Sequence, residues 1–152
     1  MILINASSYV NAEFEAEIGR IPPCMLPIGN KKLLQLQVDV VRQHFPNEKA
    51  VIESLPIEVV TIAENLALAE TILYVLNLAI DKSYQHIRII QGDVFLPQLV
   101  DCSDCIGVSD KTRLYDWQQT KKVKESPTDW IGYFAFSSRL ALIKALAISK
   151  KN

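Results

Sequence analysis

The chain has 152 residues, enough for one domain with a real core. Apolar residues make up 49% and charged ones 22%, which argues against a disordered chain. Formal net charge is -1 with acids and bases interspersed, so there is no general basic field for nucleic acid or an anionic membrane, and any phosphate binding has to be local.

The first residues, Met1-Ile2-Leu3-Ile4-Asn5, are a short apolar run suited to a strand buried on both faces. They carry no basic stretch ahead of a long apolar segment and do not read as a signal peptide. Residues 6–20 are polar and are expected to form a loop. Ile21-Pro22-Pro23-Cys24-Met25-Leu26-Pro27 is punctuated by prolines, which fix φ and disfavour helix before them, so it reads as an extended, shaped segment. From 31 to 44, Leu33, Leu34, Leu36, Val38, Val40 and Val41 fall mostly on one stripe of a helix that has to stop before Pro46.

Residues 49–53 and 57–63 read as short strands. A helix is expected over 66–80, with Leu66, Ala69, Leu73, Leu76 and Ile80 on one face; with Glu70, Thr71 and Asn77 inside it, it is too short and polar to span a bilayer. A strand at 86–91 runs into Gly92-Asp93. After Pro97 short strands are expected at 105–109, 113–118, 121–125 and 131–137, then a helix at 138–149 capped by Ser137 or Ser138. Strands alternating with helices imply an α/β fold: a mainly parallel, Rossmann-like sheet with helices on both faces, in one domain spanning 1–152.

In such sheets ligands bind beyond the carboxyl ends of the strands, where strand order reverses. If the first strand is central, the loop after Asn5 and the loop after Gln91 lie side by side there. Asp93 then presents a carboxylate able to hold a hard cation such as Mg²⁺, and through it phosphate oxygens. The plainer reading of Gly-Asp after a strand is an ordinary turn.

Several segments resemble the sugar-phosphate nucleotidyltransferases, the nucleotide-diphospho-sugar transferase-like family. Residues 22–31 followed by Leu33-Leu34 resemble that family's P-K-x-L-L-P-V-x-x-x-P-L segment. Ile89-Ile90-Gln91-Gly92-Asp93 is similar to its apolar strand ending in G-D, whose aspartate binds Mg²⁺. Leu66-Ala67-Leu68-Ala69-Glu70-Thr71-Ile72 resembles the helix start near the base, and Ile131-Gly132-Tyr133-Phe134-Ala135-Phe136 the strand entering the sugar site. Order and approximate spacing agree over nearly the whole chain. The resemblance implies transfer of a nucleoside monophosphate from a nucleoside triphosphate to a sugar phosphate or similar acceptor, with release of pyrophosphate. It implies nucleotide-binding roles for Ala6, Ser7, Ser8, Ala67 and Gly92, substrate-binding roles for Lys31 and Gly132, Mg²⁺ on Asp93, and catalytic roles for Asp93 and Arg20.

The departures fall where positive charge is needed. The family's glycine-rich loop, G-x-G-x-R, aligns with Ser7-Ser8-Tyr9-Val10-Asn11, which lacks both glycines and the arginine. Its two lysines align with Pro23 and Ser126, and a glycine near the base with Ala67. Arg20 and Lys31 are the replacement cations; the plainer reading of each is a solvated surface charge. The family's second metal-binding carboxylate has no counterpart after Ser137. Three hypotheses follow: a Mg²⁺-dependent cytoplasmic enzyme, a catalytically inactive relative that binds a ligand or a partner subunit, and, as a remote third, a thiol or metal module at Cys102 and Cys105. Expected partners are a nucleoside triphosphate and a phosphorylated small molecule, with room for a homo-oligomer and no role for nucleic acid or membrane.

Cys102-Ser103-Asp104-Cys105 is a C-x-x-C, read here as coincidental because a redox motif would open a helix and this one runs into a strand. A zinc site would need two further ligands, and the histidines, His44 and His86, lie on distant segments. Three cysteines, an odd number, point to a reducing cytoplasm and not to a disulfide framework. Trp117, Trp130, Tyr133, Phe134 and Phe136 are expected in the core or on a sheet-to-sheet packing face, with a sugar-stacking platform or a dimer patch as the lesser reading.

Overall fold

The structure, a computed structural model, describes residues 1–45, 66–78, 85–109 and 129–149. β1 (Ile2–Asn5) is the first apolar run. The polar segment after it, expected to be loop, contains a short helix, α1 (Ala12–Ile18). Asn11 starts that helix, its side-chain oxygen accepting the Phe14 N–H at 3.1 Å, and Gly19 ends it. α1 buries none of its residues, so no apolar periodicity announces it.

The proline segment turns once through a 3-10 helix at Pro23–Met25. β2 (Pro27–Ile28) then pairs with β3 (Lys31–Lys32) in a two-residue hairpin. α2 (Leu33–His44) follows directly and ends at Phe45. α3 (Leu68–Leu78) opens with the Glu70 carboxylate accepting the Ala67 N–H at 3.3 Å. β4 (Ile87–Gln91), β5 (Cys105–Ser109), β6 (Asp129–Phe136) and α4 (Arg139–Ser149) complete the described elements. The strands expected at 49–53, 57–63, 113–118 and 121–125 lie outside the described residues, as does Trp117.

The four longer strands form one sheet in the order β1-β4-β6-β5. β1 and β4 are parallel, with Asn5 opposite Gln91. β6 is antiparallel to both β4 and β5. The sheet of the described residues is therefore mixed, with one parallel pair, where the sequence reading expects mainly parallel pairing. Strand–helix alternation, the basis of that expectation, stops after Pro97, and β6 inserts between β4 and β5 in the opposite sense. By direction, β1, β4 and β5 still agree and β6 alone opposes them.

Side-chain alternation divides the strands between two cores. On one face Ile90, Tyr133 and Ala135 pack with Val41 and Phe45 from the α2 side and with Leu99. On the other, Ile87 and Ile89 pack with Ile72 and Leu76 of α3 and Leu142 of α4. Helices thus cover both faces, as expected. β4 is apolar except at its last residue, Gln91, and at Arg88, which lies on the α2 side over the Phe45 ring at 4.2 Å and pairs with Asp101 at 2.6 Å. Arg139, also buried, donates to the Leu76 carbonyl near the end of α3, where the helix dipole favours a cation.

Tyr133, Phe134 and Phe136 join these cores as expected. Trp130 does not: it is 74% exposed and touches Phe134 edge-on. Ser138 caps α4 as expected, its hydroxyl accepting the Ala141 N–H at 3.2 Å. Ser138→Ala is expected to lower the urea midpoint by the equivalent of about 1 kcal/mol; an unchanged midpoint would remove the cap from the account of this helix.

The cysteines differ from the sequence reading. Cys102 and Cys105 form a disulfide, and Cys24 is free and buried. Asp104 between them adopts φ 55, a left-handed turn that brings their Cα atoms to 6.4 Å. The C-x-x-C neither opens a helix nor stands idle; it closes a turn into β5.

Candidate functional site at the carboxyl ends of β1 and β4

The register of the parallel pair ends both strands together. Past their last residues, the Gly92 N–H donates to the Asn5 carbonyl at 2.8 Å, and the Asn5 side-chain amide donates to Gln91 Oε1 at 2.9 Å. The loop beginning at Ala6 and the turn carrying Asp93 are therefore neighbours. Gly92 is required there by space. A Cβ at this position would lie 2.7 Å from the Asn5 carbonyl oxygen and 3.2 Å from the Ala6 Cα.

Residues 91–94 form a tight turn, closed by the Val94 N–H on the Gln91 carbonyl at 3.3 Å. Gln37, buried on α2, braces it: Nε2 donates to the Gln91 carbonyl at 2.9 Å and to the Val94 carbonyl at 2.7 Å. Its Oε1 is buried without a hydrogen-bond partner among the described residues. The sequence reading missed Gln37, although its position was a signal. Leu33, Gln37 and Val41 are the buried residues of α2, four apart on one line, and a glutamine inside such a line needs a polar reason to be there.

Gly132 closes the third side. β6 runs antiparallel to β4, so its first half lies at the same sheet edge as Asp93. Gly132 has φ 75, and a Cβ there would meet Val94 Cγ2 at 2.9 Å and Gln91 Cβ and Cγ at 3.0 Å. The residue expected at a sugar site thus packs directly beneath the turn. Asp93 itself is exposed, and its carboxylate takes no hydrogen bond or ion pair among the described residues.

The first loop holds Ser7, Ser8 and Tyr9 exposed and Val10 buried, with the Val10 N–H on the Ile21 carbonyl at 3.0 Å. That bond brings the chain around Arg20 back to the loop, and the Arg20 guanidinium sits 4.3 Å from the centre of the Tyr9 ring. Among the described residues no hydrogen bond or ion pair joins two other expected site residues, Lys31 and Ala67, to this edge. Lys31 pairs with Asp39 at 2.7 Å, both half exposed, and lines a shallow groove on α2 with Leu34, Gln35, Val38 and Arg42. Ala67 stands at the head of α3, its carbonyl accepting the Thr71 N–H at 2.9 Å.

Among the described residues no three His, Cys, Asp or Glu side chains converge as a metal cage. A single hard carboxylate at Asp93 still suits Mg²⁺, which keeps its waters and takes one or two carboxylates together with substrate phosphates. Chemically, the edge can present one carboxylate and the backbone of the first loop to a phosphorylated ligand, with Arg20 held against Tyr9 of that loop. The described helices include none long and apolar enough to cross a membrane. Comparison with protein families, with curated proteins and with solved structures found no match to this chain.

Proposed function

We propose that this chain is a divergent nucleotidyltransferase of the sugar-phosphate-activating type, with a nucleotide-diphospho-sugar transferase-like, mainly parallel sheet. One observation carries the reading: the Gly92 N–H on the Asn5 carbonyl seats the Gly-Asp turn against the first loop at the carboxyl edge of a parallel strand pair. The common direction of β1, β4 and β5 supports it. In this reaction an oxygen of the acceptor phosphate attacks the α-phosphorus of a nucleoside triphosphate, the bond to the bridging oxygen breaks, and pyrophosphate leaves. Mg²⁺ supplies charge neutralisation on the phosphates, and Asp93 would hold it. Arg20, kept beside the loop by Tyr9, adds charge at the phosphates. Ala6, Ser7, Ser8, Ala67 and Gly92 form the nucleotide side, and Lys31 and Gly132 the acceptor side. Lys31 would have to leave Asp39, an exposed pair worth about 0–1 kcal/mol. The setting is the cytoplasm, and the partners are small phosphorylated molecules.

The second reading is a non-catalytic relative that binds a ligand or a partner subunit. It is favoured by Tyr9, which stands with Ser7 and Ser8 where the resembling family has phosphate-cradling glycines. A thermal-shift titration with five nucleoside triphosphates, with and without Mg²⁺, separates the two. At a hundred times its Kd the correct nucleotide should stabilise the wild type by about 2.7 kcal/mol. That gain should need Mg²⁺ and vanish in Asp93→Ala. No shift with any nucleotide, or an equal shift in the variant, would end the enzymatic reading.

A further inference from the structure

The chain between Asp93 and β5 crosses from one edge of the sheet to the other. β4 ends at Gln91 at the carboxyl edge, and β5 begins at Cys105 at the opposite edge, opposite Ala135. The strap between them lies on the α2 side, with Leu96 and Leu99 in that core. It is fastened near its far end by the Tyr133 hydroxyl on the Val100 carbonyl at 3.0 Å and by Arg88 on Asp101. Cys102 and Cys105 follow immediately, partly exposed and packed against the same core. Asp104 then anchors the turn to the end of β6, accepting the Ser137 N–H at 3.0 Å and its hydroxyl at 2.5 Å.

We propose that Cys102 and Cys105 form a reversible thiol–disulfide exchange site that latches the far end of this strap, its reaction partner being a dithiol. Two intervening residues make the bond a poor staple for the fold, since so short a loop removes little entropy from the unfolded chain. Both cysteines are partly exposed, and an attacking thiolate needs such access. A cytoplasmic setting fits the same conclusion, because disulfides found there are mostly transient or redox-sensing.

The exchange balances simply. One thiolate of the dithiol attacks a protein sulfur, the Cys102–Cys105 bond breaks and a mixed disulfide forms. The second thiol of the partner then attacks its own sulfur. The protein leaves as a dithiol and the partner as a disulfide, with two electrons and two protons moved. Cys24 takes no part: burial pushes its thiol up from the ordinary range and keeps it protonated.

Three measurements on the full chain test this, none involving a nucleotide, so its failure is separate from that of the proposed enzymatic activity. Native protein is alkylated with N-ethylmaleimide and mapped by mass spectrometry, before and after dithiothreitol and after reoxidation with oxidised glutathione. Cys102 and Cys105 should be protected, then labelled, then protected again. Hydrogen exchange over residues 94–104 should be at least tenfold faster in the reduced wild type than in the oxidised one. Cys102→Ser should exchange at the reduced rate with or without reductant; if that variant does not fold, the two wild-type states decide. Labelling without reductant, resistance to dithiothreitol in the native state, or equal exchange in both states would each overturn the proposal.

Discussion

Gly92→Ala is expected to lose about 3 kcal/mol of unfolding free energy, the upper end of what overpacking usually costs. The reason lies in what the added methyl would meet. Its three nearest neighbours are the Asn5 carbonyl oxygen at 2.7 Å, the Ala6 Cα at 3.2 Å and the Asn5 carbonyl carbon at 3.3 Å. All are backbone atoms of the adjoining strand end, so no rotamer change makes room. The strand ends must separate, and the Gly92–Asn5 hydrogen bond and the Asn5–Gln91 side-chain bond go with them. Urea unfolding reads the loss directly. A second consequence concerns function: a nucleotide that stabilises the wild type should stabilise this variant far less, because Asp93 and the first loop no longer share one edge. A variant with a wild-type midpoint would mean that the two strand ends do not meet as described, and the candidate site would lose its foundation.

That contact was legible in the sequence, and its limits are instructive. The apolar run at the start, the run ending in Gly92-Asp93 and the rule for ligands in parallel sheets together place Asp93 beside the loop after Asn5, where the structure has it. Long periodic segments were legible too: α2 and α3 bury enough apolar surface to write a pattern, and α4 was marked by its serine cap. α1 buries none, and only its Asn11 cap marked it. The pairing of β6 was not legible, since alternation fixes which face a residue takes but not the direction of its neighbour. Nor was the disulfide, because the spacing of Cys102 and Cys105 gains meaning only through the left-handed turn at Asp104. The contacts of the two candidate cations were not legible either. Lys31 and Arg20 were candidate phosphate ligands, and the structure engages the first with Asp39 and sets the second over Tyr9.

Gln37 offers the sharpest test of how the turn is held. Its amide nitrogen faces two carbonyls, of Gln91 and Val94, so a side chain that cannot donate there replaces attraction with repulsion. Gln37→Glu keeps the shape and removes the donor. At neutral pH it would set a carboxylate against two carbonyl oxygens in a site where the native residue is 3% exposed, at a cost of about 3–5 kcal/mol, the usual consequence of an uncompensated buried charge. The introduced carboxyl can escape by taking up a proton, which raises its folded-state pKa above the unfolded one. Stability is then fully restored only below the unfolded value and is lost as pH rises through the folded one. The gap in urea midpoint between this variant and the wild type should therefore close steadily from pH 8 towards pH 5. A gap independent of pH would mean that the carboxylate finds water and that the turn is not sealed by α2. Gln37→Leu is the matching control. It loses both hydrogen bonds, roughly 0.5–1.5 kcal/mol each, but also removes the unpartnered Oε1, so it should cost less than the glutamate and show no pH dependence relative to the wild type. If the leucine variant is the worse of the two, the brace works through shape and not through the amide, and the pre-set turn at Asp93 would need another explanation.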